Sequence, residues 1–74
     1  MNTQKKIEVN ELPIRLGQLL KFANLVQDGF EAKIRIQHGE ILLNGEIECQ
    51  RGKKIIDGDI ITFNEEEYLI VKDK

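Results

Sequence analysis

Apolar residues recur along this chain in two rhythms, a helical one first and a two-residue alternation after it. Leu16, Leu19, Leu20 and Ala23 return every three or four positions, the stripe that an amphipathic helix turns toward a core. A helix is therefore expected, opened by residues 10–13 and running to about residue 25. Pro13 would sit in its first turn, where the missing N–H costs nothing. A second helix is expected at residues 30–38, docking through Ala32 and Ile36, four apart on one face. Ahead of both, Ile7 and Val9, two apart within residues 5–9, give a weak strand signal and an expected edge strand. Residues 1–6 are polar and expected to fray at their start. Beyond residue 40 the period drops to two. Ile41 and Leu43, Ile47 and Cys49, residues 60–63 and residues 68–71 all read as short strands, and Ile55 and Ile56 are expected to re-enter the core.

Punctuation between these runs is chemically specific. Asp28 can cap the second helix by accepting from a backbone N–H, with Glu31 three residues on to reach back as in a capping box. Gly39 follows that helix, where a left-handed residue closes it at no steric cost. His38 just before it can meet the last carbonyls of the helix, a capping role rather than a catalytic one. Asn44-Gly45 between alternating apolar residues is the strongest short-range hairpin signal. Asp57-Gly58 marks another turn, and Asn64-Glu65-Glu66 joins a terminal hairpin. Gly17 is the anomaly. It costs up to ~1 kcal/mol relative to Ala inside a helix, so it marks either a close-packing position or an approach for a ligand. The fold class expected is α+β, two short helices packed on a small, mainly antiparallel sheet of four to five strands.

Size narrows the function. Seventy-four residues make one domain, and a chain this short buries only about 60% of its unfolded surface, which leaves no room for a deep substrate cavity and its supporting shell. An enzyme is not expected. The single Cys49 excludes an internal disulfide and reads as a half-buried strand thiol; with one His eleven positions away it makes no metal site. No phosphate-binding glycine loop, zinc spacing or nucleophile elbow is present, and no cofactor is expected. With no secretory or membrane-spanning apolar run, the chain is expected to be cytoplasmic, without a membrane partner.

Charge changes the picture more than composition does. The formal net charge is −2, which by itself points to no polyanion. Yet residues 13–39 carry Arg15, Lys21, Lys33 and Arg35 against Asp28 and Glu31. Residues 49–56 carry Arg51, Lys53 and Lys54 with no acid, and residues 57–67 carry five acids with no cation. Signs segregated in this way let a positive face coexist with an acidic total.

Several of these residues together resemble the RNA-binding domain named after ribosomal small-subunit protein four, also called the αL motif. Its first helix begins Arg-Leu-Asp and continues with two leucines; Arg15-Leu16-Gly17-Gln18-Leu19-Leu20 stands there. Its second helix carries Ala-Arg or Ala-Lys, here Ala32-Lys33, and leads into Gly39-Glu40-Ile41-Leu42-Leu43-Asn44-Gly45. It closes with Gly58-Asp59-Ile60-Ile61. Leu16-Gly17-Gln18 with Arg51-Gly52-Lys53-Lys54 is similar to the small stand-alone bacterial group called YaaA/YbcJ-like. The likeness covers about residues 14–63. Gly17 departs from the acidic residue of the general motif, Lys33 gives a point charge for an Arg fork, and Gln50 stands where the subgroup often has Arg.

The resemblance implies a non-enzymatic binder of structured RNA, ribosomal or transfer, recognised by backbone and shape. The ribosome or its assembly intermediates are among the implied partners. No DNA specificity is expected, and a monomer is. The implied contacts are Arg15 and Lys33 from the helices, Lys21 and Gln37 at the margin, and Arg51, Lys53 and Lys54 from the loop. Arg35 is ambiguous, since Glu31 lies four residues before it. Phe30, the one candidate stacking aromatic, reads as core or as a helix staple. Two other readings compete. A protein–protein adaptor would use the acidic residues 57–67. A β-grasp sulfur carrier shares the Asn-Gly hairpin and the late Asp-Gly-Asp, but needs a terminal Gly-Gly where this chain reads Val71-Lys72-Asp73-Lys74.

Overall fold

A computed structural model describes residues 4–73. The fraying expected at the N-terminus falls partly on residues 1–3, outside that range. The elements in chain order are β1 (Gln4–Val9), β2 (Ile14–Arg15), α1 (Leu16–Phe22), α2 (Gly29–Gln37), β3 (Ile41–Leu43), β4 (Glu46–Ile47), β5 (Lys54–Ile55), β6 (Ile60–Phe63) and β7 (Glu66–Lys72). Five strands form one mixed sheet in the order β1-β7-β6-β3-β4, and β2 pairs with β5 in a separate two-stranded piece. The two helices pack on that sheet, as the apolar rhythm implies. Leu16, Leu19, Leu20, Ala32 and Ile36 from the helices meet Ile7, Val9, Ile41, Ile61, Phe63, Tyr68 and Ile70 in one buried cluster.

Both helices end in the same way. In α2, Glu40 N–H donates to Arg35 C=O and Gly39 N–H to Ile36 C=O, with Gly39 at φ +73. This is the Schellman closure, in which one left-handed residue lets the chain satisfy two orphan carbonyls. In α1, Asn24 takes that place at φ 59, with Leu25 N–H donating to Leu20 C=O and Asn24 N–H to Lys21 C=O. Helix α1 therefore stops at Phe22, short of residue 25; the closure consumes the last positions of the apolar stripe. At the start of α2, Asp28 accepts from Glu31 N–H at 2.9 Å as expected, while Glu31 reaches back to Gln27 N–H at 2.7 Å.

Pro13 does not open the helix, because Ile14 and Arg15 are first drawn into β2 by pairing with Ile55 and Lys54. Ile55 is fully buried, but Ile56 is 56% exposed; its strand ends there, and its N–H is held by the Asp59 carboxylate at 2.9 Å. Cys49 lies beyond β4 and is exposed, because the alternation stops at Ile47. Phe30 is neither core nor staple, being 71% exposed at the first turn of α2. The expected N-terminal edge strand is present, β1 running six residues parallel to β7 at the edge of the sheet, and the Lys5 ammonium meets the Glu66 carboxylate across that pair at 2.6 Å.

Two hairpins and one long-range contact fix the sheet. Asn44-Gly45 turns at φ 51 and 88 between β3 and β4, and Asn64-Glu65 at φ 57 and 68 between β6 and β7. These paired positive φ values match the twist of flanking strands. Asn44 does more than turn. Its side-chain amide donates to Asp59 Oδ1 at 3.1 Å and its Oδ1 accepts from Ile60 N–H at 2.9 Å. Asn44→Ala removes both bonds and puts a Cβ-only residue at a left-handed φ. Urea unfolding should show a loss of about 2 kcal/mol, within the range for two exposed hydrogen bonds plus backbone strain.

Candidate nucleic-acid interface

The loop between β4 and β5 is built as a tight turn. Lys53 N–H donates to Gln50 C=O at 3.2 Å, leaving Arg51 and Gly52 at the corner. The same turn caps α1. Leu16 N–H donates to Lys53 C=O at 2.8 Å and Gly17 N–H to Arg51 C=O at 3.0 Å. Arg15, in the N-cap position, offers no side-chain cap of its own, so loop carbonyls satisfy donors that a helix start ordinarily leaves open. This contact explains Gly17. A Cβ there would stand 2.9 Å from Arg51 Cγ and 3.6 Å from Arg51 carbonyl oxygen. Close packing, one of the two explanations the sequence allowed, is the observed one.

Between α1, the start of α2 and this turn lies a groove of about 300 Å³. Arg15, Lys21 and Arg51 line it, with the Gln18 amide and the backbones of Gly17, Gly29 and Gly52 between them, and no acidic residue among its walls. Arg15, Gln18 and Lys21 are three apart along the chain and share one face of the helical turn. Gln18 is the groove residue that the sequence expectation left out, although this spacing marks it. Lys21 reaches across to α2, its Nζ 3.9 Å from where a Cβ on Gly29 would be.

The remaining expected contacts continue from the groove. Lys54 pairs in register with Arg15 across β2 and β5, which puts the two side chains on the same face of the ribbon. Lys33 and Gln37 lie four and eight positions after Gly29 on α2, the same row of that helix, and both are exposed. Lys53 is exposed in the turn before β5, its carbonyl committed to Leu16 N–H. Neither Lys33, Gln37, Lys53 nor Lys54 lines the groove itself. Arg35, which the sequence left ambiguous, is paired with acids. Its guanidinium bonds Glu31 at 3.3 Å and Glu40 at 3.1 Å, and the hydrogen bond to Glu31, then that to Glu40, hold its pKa above the ordinary arginine value. His38 Nδ1 lies 4.0 Å from Glu40 Oε2, at the helix end. Among the described residues no group of His, Cys, Asp and Glu is gathered for a metal ion.

Two short helices, a mixed sheet and a basic turn clipped onto the first helix define a small α+β domain with one cationic groove. Comparison with known proteins places it. The family model of the S4 domain matches residues 7–71, and the chain belongs to that family. The probable ribosome maturation protein RlbA of Bacillus subtilis (strain 168) is 38% identical over 55 residues, which are 74% of this chain and 78% of that protein. The solution structure of YbcJ from E. coli, described as revealing an αL motif involved in RNA binding, superposes with a TM-score of 0.68 at 26% identity. That match covers 96% of this chain and 91% of YbcJ.

The clip on Gly17 has a measurable consequence. Gly17→Ala should forgo the gain of up to ~1 kcal/mol that the exchange gives at an open helix position, because Arg51 must move. Gly52→Ala, with nothing within 4 Å and no left-handed φ, should be neutral or stabilise by about 0.5 kcal/mol. Urea unfolding of the two variants checks the contrast, and NMR of the Arg51 Nε–H should move only for Gly17→Ala.

Proposed function

We propose that this protein binds structured RNA, ribosomal or transfer, without catalysing a reaction, and holds it by the phosphate backbone. The observation that carries the reading is the groove in which Arg15, Lys21 and Arg51 converge with no acid among its walls. Charge-assisted hydrogen bonds from arginine suit phosphate oxygens, and the Gln18 amide can donate beside them. Lys54, Lys53, Lys33 and Gln37 extend the contact outward along the ribbon, the turn and α2. Backbone and shape are what such a surface can read, because an RNA duplex hides its base edges in a deep, narrow groove.

Membership of the S4 domain family supports an RNA partner, as does the description of YbcJ. The name of the B. subtilis relative favours ribosomal RNA or an assembly intermediate of the ribosome over transfer RNA. A cytoplasmic site of action follows from that partner. The domain acts as one unit and as a monomer, with no cofactor.

Titrating the protein against ribosomal RNA over a range of salt tests this. Affinity should fall steeply with salt, since each neutralised phosphate releases counterions. Arg51→Gln and Lys53→Gln should each lower the slope of log K against log salt by about one unit, with Arg35→Gln leaving it unchanged. Binding that ignores salt, or no binding to any folded RNA, overturns the proposal.

A further inference from the structure

We infer that Phe30 is a stacking platform for one unpaired nucleobase, held at the edge of the phosphate groove. This rests on the RNA-binding reading above and deepens it, because it names the kind of RNA preferred. The ligand would be a helical stem interrupted by a bulged or flipped-out base rather than an uninterrupted duplex.

Phe30 is the most exposed of the large apolar side chains, at 71%. An aromatic of this size normally contributes to a core, and this one contributes to none. Its place in the chain gives the exposure a meaning. The residue before it, Gly29, forms part of the cationic groove, with the Lys21 ammonium close over it. Phe30 itself faces the neighbouring cleft, formed by residues 24–28 with Glu31. Gly29 and Phe30, neighbours in the chain, thus line the two hollows one after the other.

Those two sides differ in charge. The groove side carries Arg15, Lys21 and Arg51. The cleft side carries the amides of Asn24 and Gln27 and the carboxylates of Asp28 and Glu31. A phosphate backbone therefore stays in the groove, because the cleft side would repel it. A base is uncharged and offers a π face to Phe30 and polar edges to amides and carboxylates. One nucleotide straddling Phe30 can thus place its phosphate by Lys21 and its base over the ring. Stacking of this sort tolerates any base, and its loss on truncation of the aromatic is substantial. The carboxylates are partly committed already, Asp28 to Glu31 N–H and Glu31 to Gln27 N–H and Arg35. That leaves the amides of Asn24 and Gln27 as the freer groups for a base edge.

The test uses two RNA duplexes of the same sequence, one fully paired and one carrying a single bulged 2-aminopurine, at low salt. The intact protein should bind the bulged duplex about tenfold more tightly and quench the 2-aminopurine fluorescence. Phe30→Leu keeps an apolar, helix-compatible residue at an exposed site, so it should fold. It should bind both duplexes alike, at the affinity of the intact protein for the paired one, without the quench. Phe30→Tyr should keep both preference and quench. Equal binding of the two duplexes by the intact protein, or a preference that survives in Phe30→Leu, overturns the inference while leaving the basic groove standing. If the intact protein binds ribosomal RNA but neither duplex, this inference falls alone; if it binds no folded RNA, the RNA-binding reading falls with it.

Discussion

Two backbone hydrogen bonds carry the site: Leu16 N–H to the carbonyl of Lys53 and Gly17 N–H to that of Arg51. Everything cationic about the groove depends on them. A seven-residue helix has little stability of its own and its first N–H groups want acceptors. A loop of three cations has every electrostatic reason to splay outward. Joining the two answers both needs, since the loop supplies the carbonyls and the helix fixes the turn. The turn's positive side chains are thereby brought beside Arg15 and Lys21 before any ligand arrives. Repulsion among them is part of the cost of folding, and a polyanion would relieve it. Pre-ordering of this sort saves a ligand the entropy of arranging long side chains, which runs to about 0.5–1.5 kcal/mol for each one immobilised.

The glycine at the joint shows how little room the contact leaves. Residue 17 is fully inside the helix–loop seam, where even one carbon would press on the root of the Arg51 side chain. A second long-range contact does comparable work on the far side of the loop. Asn44 and Asp59 belong to the two hairpin-like turns that flank β4 and β5, and their side chains bond each other and the backbone at Ile56 and Ile60. The chain between those turns, residues 45–58, contains the whole basic loop. It is therefore held at its two ends by the Asn44–Asp59 contact and in its middle by α1.

Local signals made much of this legible in advance. Caps, left-handed glycines and Asn-Gly turns act within a few residues, so Asp28, Gly39 and Asn44 could be read directly, and the period of the apolar residues gave both helices and the order of strands. Most of the features that were not legible depend on distant pairing. Strand β2 exists only because residues 54 and 55 come alongside it, so it has no local pattern strong enough to name it; β1 could be named as a weak edge strand from Ile7 and Val9, but its parallel pairing with β7 could not. Burial of Phe30 failed for a different, local reason. The core face of α2 carries Ala32 and Ile36, and residue 30, two and six positions before them, falls on another side of the helix. For the site, charge singled out Arg15, Lys21 and Arg51 and the family resemblance put them on one face of the helices and the loop, but the seam that holds the loop to α1 is made of backbone and leaves no side-chain signal.

Charge bookkeeping explains how a chain of net charge −2 supports a cationic groove. Several of its acids are engaged locally. Asp57 accepts from Lys72 N–H, Asp59 from Ile56 N–H and the Asn44 amide, and Glu66 from the Lys5 ammonium, whose hydrogen bond holds the Glu66 carboxyl below its ordinary pKa. Of the five acids in residues 57–67, three thus act as turn and strand fasteners, which weakens the case for that segment as a docking surface for another protein. Glu31 and Glu40 are likewise turned onto Arg35. At physiological ionic strength the field of a surface charge fades over about 8 Å, so a phosphate in the groove feels Arg15, Lys21 and Arg51 far more than the molecule's sum. The acids keep the total negative, and with it they limit indiscriminate attraction to any polyanion. What is left is attraction confined to one groove, where fit as well as charge decides what stays bound.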